Sequence, residues 1–192
     1  MRRLILAAAA ALALSPSAVA GTSCYVEGSG AKHVSSTRVS DQIDGAITIA
    51  AEGAQIGLGV GCDVSQGQAL VGLLARYDWT DVSGRVGEAQ VGTDAMWSAA
   101  IRGGFRINPG TLVYGLVGIA GTELSLGEID IKPQGLLYGL GVETDIGVNN
   151  LAVGLEWDHV AWDPRTADGD IRVRPDTDII RLTLKVKLDL FK

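Results

Sequence analysis

The sequence lacks the features that mark several common classes of protein. After residue 20 it contains no run of about 18 apolar residues, the length of a membrane-spanning helix, which excludes a helical integral membrane protein. Positive charge is scarce, since 16 lysines and arginines stand against 22 acidic residues, and this argues against nucleic acid as a partner. There are only 2 histidines and no phosphate-binding or nucleophile motif. We therefore expect no enzyme activity and no cofactor or metal.

The first 20 residues have the three parts of a cleavable secretory signal. They are the basic start Met1–Arg3, an apolar run from Leu4 to Leu14, and the cleavage site Ala18-Val19-Ala20. We expect residues 1–20 to be removed and residues 21–192 to form one domain. Export places Cys24 and Cys62, the only cysteines, in an oxidising compartment where a disulfide persists.

The remaining residues are rich in glycine and in aliphatic side chains. All 26 glycines lie after the signal, roughly 15% of that part against a usual 7%, which disfavours a helical fold. Valine, isoleucine and leucine are spread along the whole length, so the chain is able to order.

The hydrophobic pattern has period 2, which is the signal of β-strands. It is clearest near the C-terminus, where six aliphatic residues from Ile180 to Leu190 alternate with polar ones. The same pattern predicts eight strands, at residues 24–33, 54–64, 69–79, 96–107, 111–121, 134–146, 151–161 and 178–191. Short turns at 65–68, 108–110 and 147–150 lie at one end of these strands. Longer loops lie at the other end, at 34–53, 80–95, 122–133 and 162–177.

This arrangement predicts an all-β fold, an eight-stranded antiparallel transmembrane barrel of up-and-down topology in a bacterial outer membrane. A spanning strand needs about 9 to 11 tilted residues, and lipid tolerates no unpaired sheet edge. A closed barrel with an even number of strands meets both demands. The aliphatic face then contacts lipid, the charged face lines the lumen, the short turns are periplasmic and the four longer loops are extracellular.

The lumen is predicted to contain a packed network of ion pairs. An eight-stranded barrel is just wide enough inside for side chains, so we expect the charges to close it rather than line a pore. The alternation assigns these residues to the network: Glu27, Asp63, Asp78, Glu143, Asp145, Glu156, Asp158 and Asp189, with Arg76, Arg102, Arg106, Arg181, Lys185 and Lys187. Glycines of the same parity make room for them: Gly57, Gly59, Gly61, Gly72, Gly139, Gly141 and Gly154.

The aromatic residues support this orientation of the barrel. An interfacial girdle near the long-loop ends is predicted from Tyr77, Trp79, Trp97, Trp157 and Trp162. A thinner girdle at the short-turn end is predicted from Tyr25, Phe105, Tyr114 and Phe191. His33 lies at the top of the first strand, before a loop, where we expect it to be exposed to solvent.

The two cysteines fit the same register. If the first two strands pair about a loop centred near Ile43, Cys24 lies opposite Cys62 with the same facing. We therefore predict a cross-strand disulfide at the periplasmic rim. The alternative is two unpaired thiols, because a disulfide between adjacent strands requires a favourable local twist.

Six phrases of the sequence occur in the order and at the spacing of a known family: Gly57–Cys62, Leu73–Trp79, Ser98–Phe105, Leu112–Gly118, Tyr138–Glu143 and Gly154–Asp158. Through them the chain resembles the small eight-stranded outer-membrane barrels of the opacity-protein and OmpA-like "porin family" of Gram-negative bacteria. The resemblance implies a place in the cell outer membrane and insertion by the barrel-assembly machinery. One departure is the C-terminus, where members usually end in an aromatic residue but Phe191 is followed by Lys192.

Three functions are compatible with this reasoning. The first is a surface protein that maintains the envelope, contacts outer-membrane lipid and lipopolysaccharide, and reaches a host or surface ligand through its loops. The second is a lipid A-modifying barrel enzyme, for which His159 is the only candidate, although the adjacent serine of such enzymes is missing. The third is a soluble periplasmic barrel of lipocalin type, which would expose the aliphatic face of the last strand to water.

Overall fold

The computed structural model describes residues 21–41, 45–86, 89–126, 129–131, 133–147, 150–167 and 171–188. The predicted signal peptide lies outside these residues, as do Asp189, Phe191 and Lys192. The described residues form ten strands: β1 Gly21–Asp41, β2 Gly45–Gln66, β3 Ala69–Val86, β4 Ala89–Asn108, β5 Thr111–Leu126, β6 Ile129–Ile131, β7 Gln134–Asp145, β8 Leu151–Trp162, β9 Arg165–Ala167 and β10 Ile171–Leu188. None of the described residues belongs to a helix long and apolar enough to cross a membrane.

Eight of the strands form a closed antiparallel ring. Hydrogen bonds connect β1 through β5 in order, then β7, β8 and β10, and β10 pairs with β1 to complete the ring. The two short strands lie beside it, since β6 pairs with β5 and β9 pairs with β10. The prediction of an eight-stranded antiparallel barrel is therefore confirmed.

Tight turns join the strands at one end of the barrel, as the sequence predicts. The turn between β2 and β3 consists of Gly67 and Gln68, and Gly67 has a φ of 61°, which glycine adopts without steric cost. At the same end, Cys24 near the start of β1 pairs with Leu188, the last residue of β10. Both described ends of the chain thus lie at the short-turn rim.

The connections predicted as long loops are mainly strand, which corrects the sequence analysis. Strands β1 and β2 stay paired up to Asp41 and Gly45, and β3 and β4 up to Val86 and Ala89. Outside the membrane both faces of a strand meet water, so these segments need no aliphatic face. The alternation that reveals the membrane-spanning strands is therefore weak in the extensions.

The barrel wall divides into two sheets beyond its long-connection end. The pairing of β2 with β3 reaches only Glu52 and Ser83, whereas β1 pairs with β10 as far as Ser40 and Arg172. One sheet therefore contains the ends of β10, β1 and β2 with β9, and the other contains the ends of β3, β4 and β5 with β6. We call them the outer sheets.

Side chains alternate between the outer wall and the interior of the barrel. On β10, Ile180 and Leu182 are 59% and 64% exposed, whereas Arg181 between them is 1% exposed. The same alternation leaves aliphatic side chains exposed on all eight long strands, among them Val26, Leu58, Leu73, Ile101, Val117, Leu140, Leu155 and Leu184. An apolar wall around a polar interior is the arrangement of a barrel in lipid rather than in water.

A disulfide joins Cys24 to Cys62 across β1 and β2. The two residues are directly opposite in the register, close to the short-turn rim. The bond therefore links the first strand of the ring to its neighbour.

Replacing both cysteines by serine is expected to lower the free energy of unfolding by about 4 kcal/mol, because the disulfide closes a loop of 38 residues in the unfolded chain. Urea unfolding of the detergent-solubilised barrel measures the change. The wild-type protein kept reduced should unfold at the same urea concentration as the double variant. Free thiols in unreduced wild-type protein would contradict the pairing.

Candidate functional site

The polar interior of the barrel is the candidate site, and Arg76 on β3 lies at its centre. Its guanidinium donates from Nε to Glu27, and from NH1 and NH2 to the two carboxylate oxygens of Glu156, the second at 3.0 Å. Asp158 Oδ2 lies 3.6 Å from NH1. Arg76 thus connects β1, β3 and β8 across the lumen with the planar, two-pronged geometry that guanidinium and carboxylate share.

Arg181 on β10 forms the second centre, on the long-connection side of Arg76. Its NH1 and NH2 donate to the two oxygens of Asp78 at 2.6 and 3.1 Å, and NH1 also donates to Ser29 Oγ at 2.8 Å. Its Nε donates to Asp158 Oδ2 at 3.4 Å, so Asp158 lies between the two arginines. The two guanidinium groups are thereby joined through a shared carboxylate.

A third group of charges lies nearer the short turns. Lys185 Nζ donates to Glu143 Oε2 at 2.8 Å and lies 3.5 Å from Glu27 Oε2, which links this group to Arg76. Arg102 NH2 lies 3.2 Å from both Glu143 Oε2 and Asp63 Oδ2. We call the three groups together the ionic layer. Seven of the eight long strands supply a charged side chain to it, and β5 supplies Tyr114, described next.

Tyr25 and Tyr114 lie inside the ionic layer, so their assignment to an interfacial girdle is wrong. They are 3% and 2% exposed, and the Arg102 guanidinium lies 4.5 Å from the centre of the Tyr114 ring. Lys185 Nζ lies 4.7 Å from the Tyr25 ring. The ring faces attract these cations, and the Tyr114 hydroxyl donates to Glu156 at 2.7 Å. Phe105, by contrast, is on the outer wall and 52% exposed.

Glycines on the neighbouring strands provide the space for these long side chains. A Cβ at Gly59 would lie 2.7 Å from Glu27 Cγ and 3.1 Å from Arg76 Cγ. A Cβ at Gly57 would overlap Asp78, and one at Gly139 would lie 2.5 Å from Asp158 Oδ1. The inward glycines are therefore part of the site, because the ionic layer fits only where the facing residue has no side chain.

An apolar layer lies beside the ionic layer, towards the long-connection end, and the sequence analysis did not anticipate it. Val160 and Ile179 are each two residues beyond an ionic residue of the same strand and are fully buried. They pack in one cluster with these other inward residues: Met96, Ala120, Leu137 and Trp162. The alternation of the sequence was sufficient to predict that Val160 and Ile179 face inward, since they continue the inward rows of β8 and β10.

Trp162 belongs to this apolar layer, which corrects its assignment to the interfacial girdle. It is 8% exposed, and its Nε1 donates to Thr177 Oγ1 at 2.9 Å inside the barrel. It shares the parity of Asp158, so it faces inward although it stands at the end of β8. A tryptophan at the end of a strand is therefore not always at the membrane surface.

His33 is buried, and the expectation that it is exposed is wrong. It is 5% exposed, and its Nδ1 lies 3.3 Å from Oε1 of Gln55, itself 2% exposed, on β2. The loop assumed to follow His33 is the continuation of β1, so the barrel wall extends past it.

The remaining charges of the predicted network lie at its edge or outside the described residues. Lys187 Nζ bonds to Asp145 and lies 3.5 Å from Glu143 Oε1. Arg106 is half-buried near the short turn that follows β4. Asp189 is outside the described part of the chain.

The other four residues of the predicted aromatic girdle lie on the outer wall. They are 39–48% exposed, and the four are Tyr77, Trp79, Trp97 and Trp157. Trp157 and His159 both bond to Asp178 Oδ1, at 3.2 and 3.0 Å, and the His159 ring lies 4.9 Å from that of Tyr138. Among the described residues, Asp178 is the only hydrogen-bond partner of the His159 ring.

The ionic layer is suited to holding the strands together. Charges buried this deeply persist only when they are paired, since an isolated buried charge costs several kcal/mol. Each arginine is held by two or more carboxylates from different strands. The layer therefore fixes the relative positions of opposite sides of the wall.

Comparison with known proteins gives a family and a fold. The family described as "outer membrane protein beta-barrel domain" matches residues 4–187. No curated protein matches the sequence.

Among solved structures, Neisserial surface protein A is similar at a TM-score of 0.50 and 13% identity, over 88% of this chain and 99% of that protein. OprG of Pseudomonas aeruginosa has a TM-score of 0.44 at 15% identity, over 86% of this chain and 96% of its own. The Ail protein of Yersinia pestis has a TM-score of 0.39 at 16% identity, over 83% of this chain and 97% of its own.

Replacing Arg76 by methionine is expected to lower the free energy of unfolding by about 3–5 kcal/mol, because it leaves three buried carboxylates without their shared cation. The matched control is Lys32→Met, which breaks the exposed ion pair of Lys32 with Glu52 (3.0 Å) and should cost less than about 1 kcal/mol. Urea titration measures the free energy of unfolding of both variants. The folded fraction at each urea concentration is taken from the difference in gel mobility between boiled and unboiled samples. Equal losses in the two variants would contradict a stabilising role for the ionic layer.

Proposed function

The chain belongs to the outer membrane protein beta-barrel domain family, and from this premise we propose that it is a surface protein of the Gram-negative outer membrane. Its barrel is a closed anchor that contributes to envelope integrity, and its outer sheets make the contacts with the surroundings. The observation that carries this proposal is the ionic layer, in which paired side chains from all parts of the ring meet in the lumen.

Closure of the lumen follows from the size of the barrel and from what fills it. Eight strands leave an interior wide enough only for side chains. Here that space holds three arginine-centred or lysine-centred groups and, beside them, the apolar layer of Val160, Ile179 and their neighbours. Water and solutes would have to displace buried ion pairs in one layer and packed apolar side chains in the other. The barrel therefore acts as an anchor and not as a diffusion pore.

The proposal includes no enzymatic activity. A lipid A-modifying enzyme would need a hydroxyl nucleophile within hydrogen-bond reach of His159, whereas the ring contacts Asp178, through Nδ1, and the ring of Tyr138. Among the described residues no hydroxyl group is hydrogen-bonded to this ring. His159 is better explained as part of an interfacial cluster on the outer wall.

A soluble barrel of lipocalin type is disfavoured by the direction of the side chains. Such a protein encloses apolar residues and exposes charged ones. In this chain the exposed rows are aliphatic on every long strand, and buried residues include Arg76, Arg102 and Arg181. The partners we propose are accordingly outer-membrane lipid and lipopolysaccharide around the wall, the barrel-assembly machinery during insertion, and a host or surface ligand at the outer sheets.

Purified wild-type protein in planar lipid bilayers is expected to give no steady ion conductance, because the ionic and apolar layers fill the lumen. Replacing Arg76 and Glu156 together by alanine removes both partners of the central pair and should produce measurable openings. The matched control is Lys32→Ala with Glu52→Ala, which removes an exposed pair and should leave the bilayer silent. Steady conductance of the wild type would overturn the closed-anchor proposal.

Shortening the β1–β2 extension tests the role of the outer sheets. Ser36 and Ala50 are opposite each other, so an Asn-Gly turn in place of residues 37–49 closes the hairpin without disturbing the barrel below. Cells displaying the shortened protein should adhere less to plates coated with extracellular-matrix extract than cells displaying the full-length protein, at equal surface abundance and equal heat-dependent gel mobility. Unchanged adhesion that still exceeds that of cells without the protein would exclude this extension as the contact surface.

A further inference from the structure

The outer sheet that contains β2 has an unpaired edge to which the proposed function assigns no particular partner. Strand β2 pairs with β1 from Gly45 onwards, but its pairing with β3 begins only at Glu52. Among the described residues, no strand therefore pairs with the other side of residues 45–51. We call this stretch the β2 edge.

The β2 edge lacks the features that protect open sheet edges from pairing. Its sequence is Gly-Ala-Ile-Thr-Ile-Ala-Ala, with no charged residue and no proline, whereas natural edges are kept short or carry charge. The other unpaired strand ends of the described outer sheets are three residues long or shorter. Those on β3, β6 and β9 contain Arg85, Asp130 and Arg165. The β2 edge is therefore the open edge best suited to accept a further strand.

The sequence of the β2 edge indicates what that further strand is. Residues 46–50, Ala-Ile-Thr-Ile-Ala, read the same in both directions. If two copies pair antiparallel about Thr48, Ile47 of one copy lies opposite Ile49 of the other, so every residue of 46–50 lies opposite one of its own type. β-Branched residues opposite one another stabilise a sheet, and the uncharged edge brings no like charges together although the chain is acidic overall. The edge is thus complementary to itself, as a two-fold contact requires.

We propose that the β2 edge pairs antiparallel with the β2 edge of a second copy of this chain, about a two-fold axis at Thr48, and that the second copy lies in a facing membrane. The inference rests on the proposed surface function and names the partner of one outer sheet. The contact then joins two cells that both carry the protein.

The direction of β2 requires the second copy to be in a facing membrane. Barrel strands tilt by about 35–45°, so the β2 strands of two copies in one membrane differ in direction by at most about 90°. Antiparallel strands differ by about 180°, which two copies in one membrane do not reach. Copies in facing membranes have opposite directions and meet this condition.

The position of Thr48 sets the distance between the two membranes. Thr48 lies eight residues before Ile56, which pairs with Trp79 of the aromatic girdle. At about 3.3 Å per residue and a tilt of about 40°, Thr48 lies about 20 Å beyond the girdle. Two copies joined there hold their membranes about 40 Å apart, so the contact requires cells without long surface polysaccharide.

The contact gains its strength from the number of copies on each cell. One pair of short strands is small beside a stable interface, which buries about 1,200–2,000 Å². Between two cells many copies face each other, and once the first pair has formed the others meet at a high effective concentration. Adhesion of cells to one another is therefore the property expected of the β2 edge.

Charges of opposite sign on the two edges test this pairing. One variant is Ile47→Lys with Ile49→Lys, and the other is Ile47→Glu with Ile49→Glu. Two identical copies of either variant have like charges opposite each other, whereas one copy of each has opposite charges at the same positions. The matched control is Thr37→Lys with Val39→Lys, since these residues lie opposite Ile49 and Ile47 on β1, which is paired on both sides.

The measurement is the aggregation of cells that display each protein on a strain without O-polysaccharide. Flow cytometry counts the aggregates, with a different fluorescent label for each population. Wild-type cells and control cells should aggregate, and cells with the lysine variant alone or the glutamate variant alone should form several-fold fewer aggregates. A mixture of lysine and glutamate cells should form mixed aggregates again. Equal surface abundance and heat-dependent gel mobility verify that each variant forms the barrel.

Three results would overturn the proposal. They are wild-type cells that stay dispersed, a lysine and glutamate mixture that stays dispersed, and wild-type cells that aggregate equally with cells lacking the protein, which would assign the edge to another surface component. Adhesion to matrix extract and bilayer conductance need no second copy in a facing membrane. Dispersed wild-type cells that still bind the extract would therefore reject this contact and leave the proposed surface function standing.

Discussion

Lipid offers no hydrogen-bond partner to a polar group, and the rest of this structure depends on that constraint. Backbone amides and carbonyls in the wall must find partners within the sheet, so the ring closes through β1 and β10. Charged side chains are costly on the part of the outer wall that contacts lipid, so in the spanning part of the strands they turn inward, where an eight-stranded ring brings them within reach of one another. The ionic layer is therefore a consequence of the same solvent that makes the outer wall aliphatic. Closure of the sheet and pairing of the charges both follow from the lack of hydrogen-bond partners in lipid.

The interior combines two kinds of packing that depend on each other. The arginines bridge strands that are distant around the ring, for example β3 to β8 through Glu156 and β10 to β3 through Asp78. The cost of removing them from water is offset only while each guanidinium stays paired with carboxylates. The neighbouring apolar layer keeps water away on one side, which strengthens the electrostatic attraction between the paired groups. Inward glycines leave the space that the long side chains occupy, as Gly59 does for Glu27 and Arg76.

Alternation along the strands is enough to predict the barrel, the facing of most charged residues and the pairing of the cysteines, because lipid imposes one simple rule on every spanning strand. The predicted facing of a residue is wrong where another expectation replaces the inward and outward alternation along the strand. The tendency of aromatic residues to lie at membrane surfaces misplaces Trp162 and Tyr25, which both share the inward parity of a neighbouring acid. His33 is followed by strand and not by a loop, since β1 continues to Asp41, and the sequence beyond His33 lacks the aliphatic alternation that marks a spanning strand. Which carboxylate each arginine contacts depends on the stagger of strands around the ring, and a single sequence does not contain that information.

The seam between β1 and β10 joins residues near the two ends of the described chain, since Cys24 lies opposite Leu188. Neighbouring strands elsewhere in the ring are close in sequence and can pair as soon as both are present. Strand β1 cannot complete its pairing with β10 until β10 has been added to the sheet. The ring therefore has no closed intermediate: a chain stalled before β10 exposes two sheet edges and leaves Glu27 and Asp78 without the lysine and arginine of that strand. Pairing of β10 with β1 thus supplies the last hydrogen bonds of the ring and the cationic partners of Glu27 and Asp78 together.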